Sequence, residues 1–246
     1  MIRTLLSNTL SPESRWRLAI LRETIHVVRS RAPVERLCNI CGFTGYFRPF
    51  GSPIRLDARC PRCESLERHR VLKLWFDRNS EILDDSKILH FAAEKAVTRF
   101  VRSVTRQYAT ADIEPGRCDL VLNIEAIELP DMQYDVIICS HVIEHVDDRA
   151  ALNELYRVTK PGGRVLLMTP MVEGWEATFE DRSKATEQER WLYFGQGDHL
   201  RFYGSDFRHR IMAAGFELEE FTAVEPEVSK HGLVRGEKVF IARRPI

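Results

Sequence analysis

Short apolar runs alternate with helical patterns along the C-terminal two thirds of the chain. The apolar runs lie at residues 87–91, 107–113, 119–124, 134–140 and 163–169, and helical spacing fills most of the gaps between them. This alternation predicts a parallel sheet with helices on both faces. Two further strand patterns, at 216–224 and 238–244, have no helical pattern between them, so we expect these last two strands to pair antiparallel.

The N-terminal part of the chain differs in character. Residues 12–31 carry apolar side chains at mostly helical spacing, which predicts one amphipathic helix docked on the protein, with a membrane-surface helix as the alternative. Residues 36–66 are rich in Gly, Pro, Cys and Arg and show no sustained period, as in a small unit that needs an external staple. We therefore predict a helical segment at 1–35, a small unit at 36–66 and a large domain at 67–246.

Four of the six cysteines form two tight pairs. Cys38 and Cys41 are separated by 18 residues from Cys60 and Cys63. This is the spacing of a four-cysteine zinc site, and a site filled by four sulfur ligands is structural because it keeps no open position. Incidental cysteines and a redox pair are the alternatives.

The overall charge is balanced, with 36 Lys and Arg against 36 Asp and Glu, so no global field indicates nucleic acid or a membrane surface as partner. Residues 36–78 hold nine Lys and Arg against four Asp and Glu, a surplus that suits either RNA or a solvated face. No apolar run approaches the roughly 20 residues that span a bilayer. We expect no membrane span, and the cysteine usage favours a reduced, cytoplasmic protein.

Several linked segments resemble one family. The run YDVIICSHVIEHVDDRAALNELYRVTKPGGRVLLMTP, at 134–170, resembles the fourth strand, following helix, Pro-Gly-Gly turn and fifth strand of the class I S-adenosylmethionine-dependent methyltransferases of the type 11 kind. ARCPRCESLERHR, LHFAAE and FGQGDHLRFYGSDF are similar to a bacterial subgroup that places a zinc ribbon ahead of the catalytic domain. Ala93 stands where that subgroup usually has proline.

The resemblance implies a Rossmann-like α/β fold, with a seven-stranded sheet whose last two strands are antiparallel, and the cofactor S-adenosylmethionine beside a structural zinc. Asp112, followed by Ile113, ends the second strand and matches the acid that binds the ribose hydroxyls. Asn123 and Ile124 match the pair that flanks adenine. Ser140, with His141 after it, falls at the end of the fourth strand, where the acceptor meets the methyl group.

The cofactor loop lacks its usual glycines. When KILHFAAEKA, at 87–96, is aligned with the family's glycine-rich pattern, His90 occupies the acidic position. Ala92, Glu94 and Ala96 occupy the positions of the three glycines. We expect Ala92 to permit close approach of the backbone to the cofactor. We expect the Glu94 carboxylate to lie near the amino acid end of the cofactor, with Arg99 or Arg102 compensating its charge.

His141 and His199 are the predicted catalytic residues. A general base is required only if the acceptor is a hydroxyl or a protonated amine, and a histidine supplies it near neutral pH. His199 lies in the connection 170–205, which we expect to cover the acceptor. The aromatic residues of this connection suit a pocket lining, and the alternative is that they form core beneath a long loop. His145 either shares the His141 face or is a helix residue that faces the sheet.

The sequence thus predicts methyl transfer to a small-molecule or glycan-type acceptor. The second hypothesis is an RNA methyltransferase that grips its substrate with the basic zinc ribbon. SHVIEH stands where an Asn/Asp-Pro-Pro-aromatic motif would be expected for base amine methylation, which disfavours that reaction. A third hypothesis is a non-catalytic, methyltransferase-like scaffold.

Overall fold

The computed structural model describes residues 34–51, 53–83, 85–105 and 107–246, together with helical positions 18, 21, 22 and 25. Apart from those four positions, the helix predicted for residues 12–31 lies outside the described residues. None of the helices in the described part of the chain has the length and apolar character needed to cross a membrane.

A seven-stranded sheet lies at the centre of the protein, in the order β12-β13-β9-β8-β5-β6-β7. Its strands are β5 (Ile88–Phe91), β6 (Tyr108–Asp112), β7 (Leu120–Val121), β8 (Tyr134–Ser140), β9 (Thr159–Met168), β12 (Glu217–Thr222) and β13 (Lys238–Arg243). The five neighbouring strands β9, β8, β5, β6 and β7 are parallel to one another. β13 runs antiparallel to both of its neighbours, β9 and β12. The predicted Rossmann-like sheet and the antiparallel pairing of its last two strands are confirmed.

Some predicted boundaries were wrong. β7 covers two of the residues at 119–124, because the chain turns out of the strand at Asn123, which bridges to Ala126. β9 starts at Thr159 rather than 163, because Thr159 pairs with Tyr134 ahead of a register irregularity. A short helix, α7 (Glu227–His231), lies between the last two strands, where we expected none.

Helices cover both faces of the sheet. They are α1 (Glu67–Arg78), α2 (Ser80–Leu83), α3 (Lys95–Val104), α4 (Asp148–Val158), α5 (Glu187–Phe194), α6 (Phe207–Ala213) and α7, with a 3-10 turn at Ile143–His145. Successive strand residues point to opposite faces. Leu89 accordingly packs in the core with Leu152 of α4, whereas its neighbour Ile88 packs in the other core with Leu72 of α1 and Phe100 of α3.

Residues 36–66 form two small hairpins ahead of α1. β1 (Arg36–Leu37) pairs with β2 (Thr44–Gly45), and β3 (Arg48–Phe50) pairs with β4 (Arg55–Arg59). Their small core contains Cys38, Phe47 and Cys60. A core of this size stabilises little by itself, which agrees with the predicted need for a staple.

Arg70 of α1 connects this unit to the C-terminal part of the chain. Its buried guanidinium donates to the carbonyl oxygens of Ala58 (2.9 Å) and Ser65 (2.7 Å) in the hairpin unit. It also donates to the carbonyl oxygens of His231 (2.7 Å) and Gly232 (2.8 Å), which are the last residue of α7 and the residue after it. One side chain therefore fixes the hairpin unit against the sheet domain.

Candidate functional site

The order of the strands changes side at β5. The next strands in the chain, β6 and β7, lie on one side of β5, whereas β8 and β9 lie on the other. In open parallel sheets, the crevice at the carboxyl ends of such strands is the usual place for a ligand. Four connections meet there: the loop after β5 and the turns after β6, β7 and β8. These are the segments in which the sequence predicted the cofactor and acceptor residues.

Ala92, directly after β5, has a left-handed backbone with φ of 47°. Its N–H donates to the carbonyl of Ala111 in β6 at 2.8 Å, which holds the turn against the neighbouring strand. Glycine enters this conformation at no steric cost, whereas alanine pays for its Cβ. The glycine-type turn is therefore kept at Ala92 although glycine itself is absent.

Asp112 and Ile113 lie at the carboxyl end of β6. The Asp112 Oδ1 accepts a hydrogen bond from the Glu114 N–H at 3.0 Å, which orients the carboxylate at the strand end. Ile113 is 68% exposed, an unusual position for a large apolar side chain beside a cavity. A flat, partly apolar ligand in the crevice would cover it.

A cavity of about 490 Å³ collects these residues. It is lined by Phe91, Ala92, Asp112, Ile113, Leu122, Asn123, Ile124, His141, Val142, His145, Val146, Arg190 and Asp198. Its size is in the ordinary range for small-molecule sites. The structure thus brings together five of the seven predicted cofactor residues, whereas Glu94 and the buried Ser140 are not part of its lining.

Glu94 points away from this cavity and toward α1. Its Oε2 lies 2.6 Å from the His69 Nε2 and 3.3 Å from the Arg68 Nε, and its Oε1 pairs with the same guanidinium. Burial alone would raise the pKa of Glu94, but hydrogen bonds from His69 and Arg68 outweigh it and lower the pKa to about 2. The compensating charge expected from Arg99 or Arg102 is instead supplied by Arg68, because the loop packs on α1.

His141 follows β8 in a left-handed conformation, with φ of 56°, and its N–H donates to the Met168 carbonyl at 2.8 Å. Its Nδ1 lies 3.2 Å from the Oε1 of Glu144, a carboxylate that is only 1% exposed. Burial would raise the pKa of Glu144, but the contact with His141 lowers it below its usual value. Sequence reasoning missed Glu144, although its place in SHVIEH, between two candidate histidines, was the available signal.

His145 and His199 meet beside Glu144, with ring centroids 4.7 Å apart. His145 ends the 3-10 turn and lines the cavity, so its predicted alternative as a sheet-facing helix residue was wrong. His199 is 3% exposed, and burial lowers its pKa, which favours the neutral imidazole. The ligand atoms of Glu144, His145 and His199 all lie within 4.8 Å of one another.

The connection 170–205 contributes polar rather than aromatic side chains to the cavity, namely Arg190 and Asp198. Trp175 instead packs against Phe179 (6.5 Å) and Phe202 (6.4 Å) between ring centroids, whereas Trp191 and Tyr193 are exposed. The expectation that the aromatic residues line the pocket was wrong, because Phe179 and Phe202 belong to the small hairpin formed by β10 (Phe179–Glu180) and β11 (Arg201–Phe202).

A second cavity, of about 670 Å³, adjoins the first at His141, which lines both. Its charged lining comes from Arg55, Glu67, Arg68, Glu173, Arg235, Glu237 and Lys238. Burial raises the pKa of Glu237 to about 7. The sequence did not single out these residues, because they come from three distant segments that only the fold brings together.

The four paired cysteines also meet. The Cys38 and Cys63 sulfurs are 3.5 Å apart, the Cys41 and Cys60 sulfurs are 3.7 Å apart, and all four lie within 4.8 Å of one another. Tetrahedral coordination at about 2.3 Å would separate the sulfurs by about 3.8 Å. The residues fit a zinc ion.

A family model described as a methyltransferase domain matches residues 21–220 of this chain. Two curated relatives match over shorter segments. A malonyl-[acyl-carrier protein] O-methyltransferase of Serratia marcescens is 36% identical over 84 residues, which cover 29% of this chain and 33% of that protein. The ubiquinone/menaquinone biosynthesis C-methyltransferase UbiE of Escherichia coli is 26% identical over 113 residues, which cover 40% of this chain and 45% of that protein.

Among solved structures, the cyclase SpnF shares the fold with a TM-score of 0.50 at 13% identity, over 72% of this chain and 82% of its own. The matched segments span less than half of each curated relative named above. Fold likeness at this identity says nothing about the acceptor. The chemical class of the methyl acceptor must therefore be inferred from the residues of the site.

Proposed function

The chain belongs to the methyltransferase domain family, and from this premise we propose that it transfers the methyl group of S-adenosylmethionine to a polar small molecule or glycan-type acceptor. The observation that carries the proposal is the cavity at the carboxyl ends of β5, β6, β7 and β8, which gathers Ala92, Asp112, Ile113, Asn123 and Ile124. These five were selected from the sequence before any geometry, and they come from three separate connections.

Within that cavity, each residue type suits one part of the cofactor. The Asp112 carboxylate would accept hydrogen bonds from the ribose hydroxyls. Ile113 and Ile124 would cover the two faces of the adenine, which explains why Ile113 is exposed without a ligand. The left-handed turn at Ala92 would let the backbone approach the cofactor closely.

His141 marks the acceptor end, because it lies where the two cavities meet. Methyl transfer requires little covalent help, since the sulfonium is already activated, so the main task of the protein is to align the acceptor and exclude water. The seven charged side chains of the second cavity favour a polar acceptor over an apolar one. We propose that His141 contacts the acceptor and that His199, which is buried beside Glu144 and His145, acts through these neighbours.

The four-cysteine cluster supports a structural zinc, held by Cys38, Cys41, Cys60 and Cys63. An ion there would crosslink the two hairpins, whose own core is small. Because all four positions are sulfur, we assign the ion no part in the reaction.

Calorimetry with S-adenosylhomocysteine tests the cofactor site. We expect the wild-type chain to bind it and Asp112→Ala to bind it at least about tenfold more weakly, because a charged hydrogen-bond acceptor is lost. Glu114→Gln is the matched control, since Glu114 is an exposed acid two residues away that does not line the cavity. No heat with the wild-type chain would favour the scaffold hypothesis, and an unchanged affinity in Asp112→Ala would contradict the ribose assignment.

An RNA acceptor is the second candidate, and one observation favours it. A cleft of about 820 Å³ between the hairpin unit and α3 has five basic side chains and Phe50 in its lining, against the two acids Glu64 and Glu94; the basic residues are Arg59, Arg62, Arg68, Lys95 and Arg99. A basic cleft with an aromatic side chain is a usual surface for single-stranded nucleic acid. Tight RNA binding that persists at physiological salt would support this reading, whereas binding only at low salt would leave the polar small molecule as acceptor.

A further inference from the structure

Glu144, His145 and His199 form a second group of metal-ligand residues, separate from the cysteines. We propose that these three side chains bind a divalent transition-metal ion, and that the ion accepts a hydroxyl oxygen of the methyl acceptor. This inference rests on the proposed methyl transfer and narrows its acceptor to a hydroxyl compound.

One buried atom in the group has no hydrogen-bond partner. The Nδ1 of His199 is unpartnered, although this residue is only 3% exposed. The Oε1 of Glu144, a residue that is 1% exposed, faces the Nδ1 of His141 at 3.2 Å. A buried polar atom left unpaired is costly, so native proteins satisfy such atoms or use them for a ligand. The unpaired imidazole nitrogen, in a cluster of ligand-type residues, supports a cation site.

The three residues are held by two segments that are tied together. Glu144 and His145 lie in the 3-10 turn after β8, and His199 lies just before β11. The Leu200 N–H donates to the Glu144 carbonyl at 3.0 Å. The buried Arg201 donates to the carbonyls of Ile143 (3.2 Å) and Val146 (2.7 Å). The cluster is therefore built before any ion arrives, which is what a binding site requires.

Outer contacts orient two of the ligands. The Thr169 hydroxyl donates to the Glu144 Oε2 at 3.1 Å, which fixes the carboxylate. The His145 Nδ1 lies 3.3 Å from both the backbone oxygen and the Oδ2 of Asp198. When Nδ1–H donates to Asp198, the Nε2 keeps its lone pair for a metal. Carboxylate or carbonyl partners of this kind accompany most metal-bound histidines.

The ligand set selects the ion. Two imidazoles and one carboxylate suit Zn²⁺, Mn²⁺ or Fe²⁺ better than Ca²⁺, which prefers oxygen ligands alone. Three protein ligands leave coordination positions open, unlike the four-sulfur site. Because His145 and the adjacent His141 line the cavity, a molecule in that cavity can reach the open positions.

The chemistry follows from the charge of the ion. When the acceptor hydroxyl binds the ion, its pKa falls and its proton leaves to water. An oxygen electron pair then forms the bond to the methyl carbon. The carbon–sulfur bond of S-adenosylmethionine breaks, and its electron pair stays on the sulfur of S-adenosylhomocysteine.

The test is a titration of the full chain with Mn²⁺, in which electron paramagnetic resonance measures the bound and free ion. The protein is first dialysed against a mild chelator that leaves zinc in a four-thiolate site, and thiolates compete poorly for Mn²⁺. We expect about one Mn²⁺ per chain, with affinity reduced at least about tenfold in Glu144→Gln and in His199→Asn. His209→Asn is the matched control, because His209 is an exposed histidine on α6, and we expect its affinity to be unchanged.

Binding of much less than one Mn²⁺ per chain, or equal affinity in all four proteins, would overturn the proposal. S-adenosylhomocysteine calorimetry on the same samples separates the two levels of inference. Heat without Mn²⁺ binding removes the metal site and leaves the proposed function, whereas Mn²⁺ binding without heat does the reverse. Thermal melting of each variant checks that it is folded. If the buried substitution Glu144→Gln prevents folding, the Mn²⁺ affinity of His199→Asn decides the test.

Discussion

Two glutamates after neighbouring parallel strands have opposite surroundings. Glu94, in the loop after β5, has both carboxylate oxygens engaged by Arg68 and His69. Glu144, in the turn after β8, is more deeply buried, and its Oε1 faces the partly exposed His141, with Nδ1 at 3.2 Å. A carboxylate held on both oxygens by side chains of a packed helix stabilises the fold, whereas a buried carboxylate beside imidazoles that line a cavity is placed for a ligand. We therefore expect Glu94 to act in stability and Glu144 in chemistry.

The same contrast holds for the backbone of the two connections. Both contain a non-glycine residue in the left-handed region, Ala92 after β5 and His141 after β8. Histidine tolerates that region better than alanine does, but neither is relaxed there. At His141 the conformation places the side chain where the two cavities meet, whereas at Ala92 the proposed cofactor contact requires only the backbone.

The largest expected effect is on stability, at Glu94. We expect Glu94→Ala to lower the free energy of unfolding by about 2–3 kcal/mol, because it leaves the partly buried Arg68 without its partner. Urea unfolding of both proteins measures this change. S-adenosylhomocysteine affinity should stay within about threefold, since a structural ion pair does not touch the ligand. A tenfold loss of affinity would instead support the original expectation that Glu94 reaches the cofactor.

Acid should remove the same stabilisation. The pKa of Glu94 in the folded protein is about 2, below the ordinary value of 4.5. The folded state therefore binds this proton less readily than the unfolded state, and the stabilisation is complete above the unfolded pKa. We expect the wild-type chain to lose up to about 2 kcal/mol relative to Glu94→Gln as the pH falls from about 4.5 toward about 2. Unfolding curves that stay parallel for the two proteins across this range would contradict the assignment.

The residues that could be predicted from sequence are those that their neighbours in the sequence identify, either by the end of an apolar run or by a short fixed spacing. Asp112 follows an apolar run, and Cys38 and Cys41 form a CxxC pair, so spacing alone located them. The alternation of strands and helices also predicted the parallel sheet. In each case the information is carried by neighbours in sequence.

The residues that could not be predicted depend on contacts between distant segments. Arg68 and Glu94 are 26 positions apart, and Arg70 reaches carbonyls more than 160 positions away. No periodicity encodes such contacts, because they depend on how α1 packs on the sheet. The aromatic residues of the connection 170–205 were wrongly predicted to line the pocket, because the sequence does not distinguish an aromatic side chain in a pocket from one that packs on a hairpin or, like Trp191, stays exposed.

Glu144→Gln is expected to change stability less than Glu94→Ala does, by under about 1 kcal/mol, because the amide can keep the Thr169 hydrogen bond. Its effect should appear in function, as slower turnover at unchanged S-adenosylhomocysteine affinity. Glu94→Gln, the same chemical change at the paired site, is the matched control and should keep turnover. If Glu94→Gln and Glu144→Gln lose stability and turnover in the same proportion, then the assignment of Glu94 to stability and Glu144 to chemistry is wrong.

The smallest expected effect is at Ala92. Replacing it with glycine relieves the left-handed strain of about 1 kcal/mol but raises the entropy of the unfolded chain by a comparable amount. We therefore expect Ala92→Gly to change the free energy of unfolding by less than about 1 kcal/mol and to leave cofactor affinity unchanged or higher. Ala92→Val is the opposing variant, because a β-branched side chain is poorly tolerated at positive φ and would narrow the cavity. Weaker S-adenosylhomocysteine binding by the glycine variant would show that the Ala92 methyl group itself contacts the cofactor, so that this loop, too, contributes a side chain to the site.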